Sequence, residues 1–570
     1  MSGKPQCNLC RIPIFQPTIL PQLTQKAELR QLVCCSEYPT DVQASHCQEI
    51  ISSSPAELER YDTEISRLRA IIDKLEKDRN VVEEYQLLCR YTVSPVRRMP
   101  AEILTEIFAF FVPDAFDPLD TSMQYQEQVQ GELARVANAD LLRIAQVCPR
   151  WHKLAMETPS LWSSIGLHLI LWGDRPSRGR MMTVLRSSLE RGGDSPLDLG
   201  IKIRDLYGHG ASELIPLLTQ FSRRWRKLSL SIHLVSHGPI SGMLSTVQGC
   251  LPLLETLNIE TLPEAIGKEV ASYFAVAPRL TQLWYRGTLP ALSKLPLEQL
   301  EVFVYHDVPT RELDALISTM ARFSNPKCQC EIQVRVDIGN FSTAIDSSPV
   351  ESHMSVFGLS GAGIYKSDSA NPTLGRFVTR LTLPFLVGLQ IMCRRDQRFP
   401  LSWPHREFLA LAHRSSFHAH LKSLGLEAAL ITVAELLETL SDLPLLQDLI
   451  ISDHRVLDYG GEEVTLVTNS LLERLTWTPD STCLVPELSF LSTNTLLKFD
   501  DTVLRDFVLS RLKPGRNTEG PFEVEVRWYP EHYRNLNPEM ITQFTERQSQ
   551  GELLFLTSES DVFPRLNNDP

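Results

Sequence analysis

The sequence lacks an excess of positive charge. Its 570 residues carry 56 Lys and Arg against 69 Asp and Glu, which gives a formal net charge of −13. Proteins that bind nucleic acid without sequence preference need clustered lysine and arginine to displace counterions from the phosphates. We therefore expect no nucleic-acid partner. Hydrophobic residues make up 43% and charged residues 22%, so we expect ordinary globular folding over several units.

Long hydrophobic runs are lacking as well. The longest apolar stretch, Leu161 to Trp172, contains Ser163, Ser164 and His168, and it falls short of the roughly 18 residues of a membrane helix. Residues 1–15 contain no apolar core of signal-peptide length. The 12 cysteines are then expected to be reduced thiols of an intracellular protein, cytoplasmic or nuclear, without membrane association.

Complete catalytic and cofactor motifs are missing from the sequence. The segment around Ser360 contains the first glycine and the serine of a nucleophile elbow, but Ala362 stands where the second glycine belongs. Gly361-Ala-Gly363 lacks the third glycine of a dinucleotide loop, and no phosphate-binding loop ending in Gly-Lys-Ser or Gly-Lys-Thr occurs. We expect neither an enzyme nor a cofactor, and a hydrolase that uses Ser360 is kept only as a third hypothesis.

Cysteine and histidine clusters supply only parts of metal sites. Cys7 and Cys10 have the spacing of half a zinc site, and Cys34–Cys35 and His46–Cys47 follow. Structural zinc needs four ligands, usually as two spaced pairs. Cys328 and Cys330 have no second pair, and the histidines of 413–420 have no cysteine or carboxylate at ligand spacing. Cysteines of an intracellular protein are ordinarily unpaired thiols, so we predict no metal site. Whether Cys7 and Cys10 bind a metal is left open.

A heptad pattern of apolar residues follows Ser54. Ser54-Pro55-Ala56-Glu57 has the form of a capping box, which predicts a helix that begins at Ser54. Arg79 and Gln86 break the seam, which otherwise contains apolar residues spaced three and four apart, namely Leu58, Tyr61, Ile65, Leu68, Ile72, Leu75 and Val82. Residues 54–93 are predicted to form a coiled-coil-like helix. Three arrangements of this helix are open. It stands alone as a single amphipathic helix, it forms a hairpin with a helix near Leu23–Cys35, or it self-associates over residues 56–90. Residues 1–53 are predicted to be partly helical or disordered.

Two amphipathic helical patterns come next, separated by a polar stretch. Ser94 to Pro100 stops the preceding helix because each proline disfavours helical geometry in the residue before it. From Ala101, a short helix is predicted whose apolar stripe contains Ile103, Leu104, Ile107, Phe108 and Phe111. Residues 112–140 interrupt the pattern, and a second helix is predicted to begin at Leu141 and to continue past Trp151.

These segments resemble an F-box in their order and spacing. The matching residues are SPVRRMPAEILTEIF at 94–108, Val147-Cys-Pro-Arg-Trp151, and Pro159-Ser-Leu-Trp162. More narrowly, they are similar to fungal F-box-like proteins, in which a predicted coiled coil runs into a Ser-Pro-x-Arg-Arg-x-Pro start. Met99 stands where that family usually has Leu, an exchange that conserves volume. The F-box-like domain is assigned to residues 94–168, with an insertion at 112–140.

The resemblance implies an adaptor function and not catalysis. In that family the three F-box helices pack against a Skp-type adaptor, which joins a cullin–RING ubiquitin ligase. The adaptor-binding residues that it implies here are Pro100, Ile103, Leu104, Ile107, Phe108, Val147 and Trp151. A unit of this size cannot bury all of them internally, so a partner helix or the downstream domain must cover the rest. The alternative is that they form the core between the N-terminal helix and the next domain.

A weak repeat occupies the rest of the chain. Units of Leu-x-x-Leu-x-apolar, one of them with Trp first, start at 225, 254, 280, 297, 421, 446 and 472, at steps of 29, 26, 17, 124, 25 and 26. Helical segments that end near proline precede several units. Helix and short strand at this period predict stacked repeats with one continuous core. The pattern resembles a degenerate leucine-rich region, without its asparagine ladder, and residues 325–375 are predicted to be an irregular insertion.

The predicted fold is α/β: an N-terminal long helix or helical hairpin, a three-helix F-box, and an irregular leucine-rich-repeat solenoid of alternating helix and parallel strand at 169–570. The function expected from it is a substrate-recognition subunit of a Skp–cullin–F-box ubiquitin ligase, with a protein substrate that the sequence does not name. The alternative is a leucine-rich scaffold that self-associates through its coiled coil and has no ubiquitin role.

Overall fold

The architecture is that of a computed structural model of the chain. It describes residues 23–34, 38–112, 135–136, 139–169, 175–205, 211–234, 242, 244–262, 264–335, 348–362, 373–392, 401–427, 429–453, 464–478, 483–512, 520–529 and 532–559. These residues belong to two compact units, Met1–Leu104 and Thr105–Pro570. Within the described ranges, no helix is long and apolar enough to cross a membrane.

The first unit contains two helices, α1 (Leu23–Cys34) and the 53-residue α2 (Asp41–Val93). Thr40 caps α2 in a capping box, because its hydroxyl accepts from the Gln43 amide at 3.4 Å and the Gln43 side chain accepts from the Thr40 amide at 3.0 Å. The prediction that this helix begins at Ser54 is therefore wrong by 13 residues. Ala44, Cys47 and Ile51 continue the spacing of the seam upstream, but Ser54-Pro55-Ala56-Glu57 imitates a helix start, which is why the predicted beginning is too late.

The Ser54-Pro55 dipeptide lies inside α2 and not at its beginning. Proline has no amide hydrogen, so the helix lacks the bond that residue 55 would donate to the carbonyl four residues back. The serines just before it turn back onto the helix backbone. The Ser54 hydroxyl donates to the Ile50 carbonyl at 2.5 Å, and the Ser53 hydroxyl donates to the Glu49 carbonyl at 2.8 Å.

The seam of α2 is largely exposed. Six of its seven apolar residues are exposed, and Tyr61 is half-buried. Ion pairs within the helix, Glu64 with Arg67 at 2.7 Å and Arg79 with Glu83 at 3.3 Å, lie beside the seam. Coiled-coil pairing remains a prediction.

The second unit alternates helices with strands. Its helices, the first of which begins in the first unit, are α3 (Ala101–Ala109), α4 (Ala139–Ala145), α5 (Pro149–Glu157), α6 (Arg175–Arg191), α7 (Ala211–Thr219), α8 (Glu264–Tyr273), α9 (Leu289–Leu292), α10 (Leu313–Thr319), α11 (Thr373–Arg380), α12 (His405–Arg414), α13 (Val433–Ser441), α14 (Asn469–Leu475), α15 (Asp501–Ser510) and α16 (Pro538–Ser549). Short 3-10 turns lie at Pro95–Arg98, Pro159–Trp162, Ser222–Arg224, Ser245–Val247, Leu297–Gln299, Thr310–Glu312, Met320–Arg322 and Phe417–Ala419.

The strands are short and follow one another along the chain. They are β1 (Arg135–Val136), β2 (Ser164–Leu169), β3 (Leu197–Asp205), β4 (Trp225–Leu234), β5 (Thr256–Leu262), β6 (Gln282–Arg286), β7 (Val302–Pro309), β8 (Cys328–Arg335), β9 (Val350–Glu351), β10 (Met354–Ala362), β11 (Leu381–Thr382), β12 (Gly388–Met392), β13 (Leu401–Ser402), β14 (Ser423–Leu426), β15 (Ala429–Leu430), β16 (Asp448–Ser452), β17 (Phe490–Thr495), β18 (Phe522–Trp528) and β19 (Leu553–Glu559).

Fifteen of these strands form one sheet whose order follows the chain, β1 to β8 and then β10, β12, β14, β16, β17, β18 and β19. β1 pairs antiparallel with β2, and the later neighbours pair parallel. Parallel neighbours need a crossover connection, which helices supply here. The prediction of an α/β fold with a long N-terminal helix and parallel strands is confirmed at this level.

One face of the sheet carries the hydrophobic core, because alternate strand residues are buried and the register sets them side by side. The first buried row contains Leu199, Leu228, Leu257, Leu283, Phe303, Cys330, Phe357, Leu389, Leu424, Leu449, Leu491 and Val524. The second row contains Ile201, Leu230, Ile259, Tyr285, Tyr305, Ile332, Leu359, Ile391, Leu426 and Ile451.

The register tests the repeat starts one by one. The units at 225, 254, 280, 421 and 446 place their second apolar residue in the first row. Leu297 instead lies in a 3-10 turn, and Phe303 occupies the row in that repeat. Leu472 lies in α14, and the next strand of the sheet is β17. Both errors have one cause. Leu-x-x-Leu also fits the face of a helix, and the spacing alone does not distinguish a helix from a strand.

The stretch at 325–375, predicted to be an irregular insertion, contains two strands of the main sheet, β8 and β10. Their row positions are occupied by Cys330, Ile332, Phe357 and Leu359. Only Leu359 is a leucine, so a search for the leucine motif passes over these strands.

Arginine side chains join successive helices of the second unit. Each guanidinium lies at or after the end of its own helix or turn and donates to carbonyls at the end of the preceding helix. Arg224 donates to Leu189 and Ser195 at 3.0 and 2.9 Å, and Arg322 donates to Ser293 and Leu295 at 2.7 and 2.8 Å. Arg414 donates to Val378 and, at 2.8 Å, to Leu381. The last carbonyls of a helix lack intrahelical donors and favour a nearby cation.

Arg511 makes the most extensive of these contacts. It is 2% exposed, and its guanidinium donates to the carbonyls of Leu475, Leu484, Val485 and Pro486. Leu475 ends α14, and Val485 has a positive φ of 51°. One side chain thus donates hydrogen bonds both to the last carbonyl of a helix and to the carbonyls of a strained turn.

We expect Arg511→Met to lower the free energy of unfolding by about 3 kcal/mol, because buried carbonyls lose their donor while the side-chain volume is retained. Urea unfolding followed by circular dichroism measures the change. Arg505→Met, on the same helix but paired only with its exposed neighbour Asp506 at 2.9 Å, is the matched control. Equal losses from the two variants would contradict the capping role.

Candidate functional site

Helix α3 presents two adjacent apolar stripes that differ in burial. Leu104 and Phe108 are fully buried, whereas Ile103, Ile107 and Phe110 are exposed, with Ile103 at 50% and Phe110 at 89%. Residues three and four apart lie on the same side of a helix. Ile103 and Ile107 therefore lie on one side of α3, and Phe110 follows directly after the last helical residue, Ala109; we refer to Ile103, Ile107 and Phe110 as the α3 stripe.

A turn between α4 and α5 adds further apolar surface. The predicted second helix is broken there: α4 ends at Ala145 and α5 begins at Pro149, where the absent amide hydrogen costs no helix bond. The Cys148 sulfur accepts from the Trp151 amide at 3.5 Å. Val147, in this turn, is 63% exposed.

The interior of these helices contains an aromatic pair. The rings of Phe108 and Trp151 meet edge to face with centroids 5.1 Å apart. Such pairs add roughly 0.5–1.5 kcal/mol to the burial of their area. Phe108 therefore fixes α3 against α5, while Trp151 is half-buried.

The structure separates the seven predicted adaptor-binding residues into two groups. Pro100, Ile103, Ile107 and Val147 are exposed, and Trp151 is partly accessible. Leu104 and Phe108 are interior residues, so their contribution to any surface is to position the α3 stripe. Sequence periodicity marked both stripes as apolar but did not show which one faces inward. Phe110, which was not among the seven, is the most exposed residue of the stripe.

The aromatic residue Trp162, which follows α5, connects these helices to the sheet. Trp162 is 1% exposed, and its indole nitrogen donates to the Ala155 carbonyl of α5 at 2.7 Å. The Arg191 guanidinium lies 4.8 Å from the centre of the Trp162 ring, within the range of a cation–π contact. Trp162 lies two residues before β2, which begins at Ser164, so one side chain connects α5 to the start of this strand.

The sheet face opposite the core is lined with polar side chains that bond one another across strands. Asn258 donates to Ser229 at 3.1 Å, and His306 lies 2.7 Å from the Gln333 oxygen. The remaining cross-strand contacts include Ser231 with Glu260, Glu260 with Arg286, Arg286 with Asp307, and Ser492 with Glu525. This polar face, β3 to β18, is the second surface of the molecule that could recognise a partner.

The polar face becomes acidic towards its C-terminal end. Between β14 and β18 it carries Glu427, Asp448, Glu523 and Glu525 with Arg527 as the one cation among these strand positions. Burial raises the pKa of Glu427, Arg527 opposes that shift and Glu525 adds to it. Burial, and then the charge of Glu523, raise the pKa of Asp448.

One buried carboxylate, Asp453, has a structural role. Its two oxygens accept from the amides of Leu466, Val467 and Leu496 at 2.6 to 2.9 Å and from the Thr495 hydroxyl at 2.9 Å. Burial raises its pKa, and these four donors act in the opposite direction. Because every donor belongs to the chain, Asp453 organises the loops after β16 and β17.

The candidate nucleophile Ser360 and the candidate ligands Cys328 and Cys330 lie inside strands of the sheet. Ser360 is inside strand β10 and 1% exposed, which is not the strand-to-helix turn of a nucleophile elbow. Cys328 and Cys330 are buried core residues of β8, where burial raises the pKa of Cys328 to about 12 and that of Cys330 well above its ordinary value. Cys7 and Cys10 lie outside the described residues. Within the described part of the chain, no group of three His, Cys, Asp or Glu could hold a metal.

We expect Glu427→Gln to be more stable than the wild type at pH 7. The folded wild type retains the Glu427 proton to higher pH than the unfolded chain, so it loses stability as the pH rises through the raised pKa. Glutamine buries no charge. Thermal unfolding between pH 4 and pH 8 measures the difference, which should disappear below the ordinary glutamate pKa of 4.5. Glu301→Gln, at an exposed position, is the control; a pH-independent gain would contradict the electrostatic cause.

Comparison with known proteins bears on the helical part of this surface. Residues 96–168 match the protein-family model described as F-box-like. The match begins at the 3-10 turn before α3 and ends in β2, so it contains α3, α4, α5 and Trp162. No curated protein matches the chain. The match covers a small part of the chain, and it identifies a domain: residues 96–168 are an F-box-like domain.

Proposed function

We propose that the protein is the substrate-recognition subunit of a Skp–cullin–F-box ubiquitin ligase. An F-box-like domain indicates an adaptor role in ubiquitin ligation in general. The observation that supports the specific role is the α3 stripe, in which two large apolar residues of one short helix and the phenylalanine after it are exposed, while Phe108 of the same helix packs against Trp151. A stripe of this kind favours a protein partner. The proposed partner is a Skp-type adaptor, bound through Pro100, Ile103, Ile107, Val147 and the accessible edge of Trp151.

We further propose that residues 169–570 are a degenerate leucine-rich-repeat region that presents the substrate-binding surface. The chain-ordered parallel strands and the stacked apolar rows support this assignment. The polar face is the side proposed to contact a protein substrate, because its side chains point away from the core. No enzyme activity, cofactor or metal is proposed, and the proposed site of action is the cytoplasm or the nucleus.

A second candidate function is a scaffold that self-associates through α2 without a ubiquitin role. The exposed seam of α2 favours it, since six apolar residues of one helix face solvent. Light scattering of the full chain distinguishes the candidates when it is combined with adaptor binding. A dimer that binds no adaptor would favour the scaffold.

We expect Ile107→Asp to abolish co-purification with a Skp-type adaptor, because it places a charge in the middle of the α3 stripe without changing the core. Ala109→Asp introduces the same charge on another side of α3, where the side chain is also exposed, and should bind like the wild type. Quantitative pull-down of the full chain measures both. Failure of the wild type to bind, or equal binding by the two variants, would contradict the proposed site.

Phe108→Ala separates folding from binding. The side chain is fully buried against Trp151, so we expect the loss of about 3–5 kcal/mol that is typical of large aromatic truncations. Thermal unfolding should detect this loss, whereas Ile107→Asp should unfold near the wild-type temperature. Wild-type stability of the Phe108 variant would show that the ring pair is not part of the core.

A further inference from the structure

We propose that the polar face between β14 and β18 binds a basic segment of the protein substrate, with one lysine or arginine side chain over the Phe490 ring and between the carboxylates of Asp448 and Glu523. This inference rests on the proposed function, because it takes the polar face as the substrate-binding surface. It adds the chemical class of the segment that this surface recognises.

Three side chains at one level of the sheet form the site. Asp448 of β16 pairs with Phe490 of β17, which in turn pairs with Glu523 of β18. The next residue of each strand belongs to the first buried row, and successive side chains point to opposite sides of a strand, so all three lie on the polar face. All three are half-buried. The two acids are about 9.6 Å apart at the backbone, since neighbouring strands lie roughly 4.8 Å apart.

The aromatic ring between the two acids offers a surface on which a cation can lie. The face of a phenylalanine ring carries partial negative charge, and it attracts an ammonium or guanidinium group within about 6 Å of its centre. Within the described part of the chain, no other ring and no cation contacts Phe490. A carboxylate on each side adds full negative charge, so the three groups together favour a lysine or arginine side chain.

The acids in the N-terminal half of the polar face already have cationic partners. Asp198 pairs with Arg226 at 2.6 Å, and Arg286 pairs with both Glu260 and Asp307. Ion pairs within the face leave little net charge for a substrate to neutralise. A basic segment therefore gains less there than at a place where the carboxylates are unpaired.

Three acids of the C-terminal half have no such partner. Among the described residues, the carboxylates of Glu427, Asp448 and Glu523 take part in no ion pair and no hydrogen bond. Lys422, which precedes β14, is exposed and is not paired with them, and Arg527 is ion-paired within its own strand at 3.2 Å. Burial, and then the charge of Glu523, raise the pKa of Asp448. A cation bound between these two carboxylates removes that repulsion.

A second pair of acceptors lies further along the same strands. Ser452, four residues after Asp448 in β16, points to the polar face and is 8% exposed, and its hydroxyl has no hydrogen bond within the described ranges. Glu427 lies beside it, because the preceding residues Leu426 and Ile451 are register partners. Buried polar groups ordinarily have a hydrogen-bond partner, so this hydroxyl indicates a ligand that supplies one.

The two groups of acceptors are separated along the strands and do not converge. Four residues of a strand span about 13 Å, so an extended segment with two cations about four residues apart can reach both groups. Within the described residues, no three His, Cys, Asp or Glu side chains are close enough to hold a metal ion. Separate carboxylates on neighbouring strands therefore favour a polypeptide with more than one positive charge over a single ion.

Fluorescence anisotropy with the full chain tests the site. The probe is a short labelled peptide of glycine and serine with two arginines four residues apart, and the matched peptide has glutamine at both positions. We expect the arginine peptide to bind about tenfold more tightly at low salt. The difference should shrink as salt is added, because salt screens exposed charges. Equal binding of the two peptides would overturn the proposal.

Substitutions at the site locate the binding. Asp448→Asn and Glu523→Gln should each weaken binding of the arginine peptide about fivefold, because each removes one carboxylate from the cation. Phe490→Leu keeps every charge, so a loss of about threefold in this variant reports the cation–π contact. Glu301→Gln removes an exposed acid outside these strands and should bind like the wild type. Site variants that bind as tightly as Glu301→Gln would show that the peptide binds elsewhere.

An adaptor pull-down with the same full-chain proteins separates this inference from the proposed function. Adaptor binding without a preference for the arginine peptide would overturn the basic substrate class alone. Arginine-peptide binding that depends on Asp448 and Glu523, without adaptor binding, would overturn the ubiquitin-ligase role and leave the cation site in place. Thermal unfolding of each variant distinguishes lost binding from lost folding.

Discussion

Four helix ends of the second unit share one interaction, an arginine that donates to the last carbonyls of the helix before it. A parallel strand order that follows the chain forces every helix to stop after a few turns and the backbone to return to the sheet. The last carbonyls of each helix are then left without intrahelical partners in a region covered by neighbouring repeats. Arg224, Arg322, Arg414 and Arg511 supply those donors from the repeat that follows. Each of these helices is therefore stabilised by the helix or turn that follows it, as expected for stacked repeats.

The sequence pattern located strands of the sheet where leucine occupied the buried row position. The units at 225, 254, 280, 421 and 446 had leucine there, and their strands lie where they were predicted. Leu472 had the same spacing on a helix face. Cys330 and Phe357 fill the same buried positions without leucine, because the core requires volume and apolarity and not one residue type. The arginine contacts were not predictable, since each joins residues about one repeat apart.

The same distinction applies to the F-box-like domain. The sequence placed its apolar residues correctly and identified the family to which the segment is similar. It did not separate Leu104 and Phe108, which stabilise the domain, from Ile103 and Ile107, which face solvent, because a 100° step on a helix moves an apolar residue from one side to the other. The break between α4 and α5 was missed for a related reason. Pro149 is compatible with a first helical turn, so the apolar pattern continues across it.

The serine run before Pro55 has a mechanical consequence. Residues 49–55 of α2 combine three serine hydroxyls that bond backbone carbonyls with the amide donor that is absent at Pro55. Local opening should need less free energy there than in the ion-paired turns on either side of Leu68. We therefore expect α2 to bend mainly at residues 49–55. The helical segments before and after these residues should stay straight. The longer of the two segments runs from Ala56 to Val93.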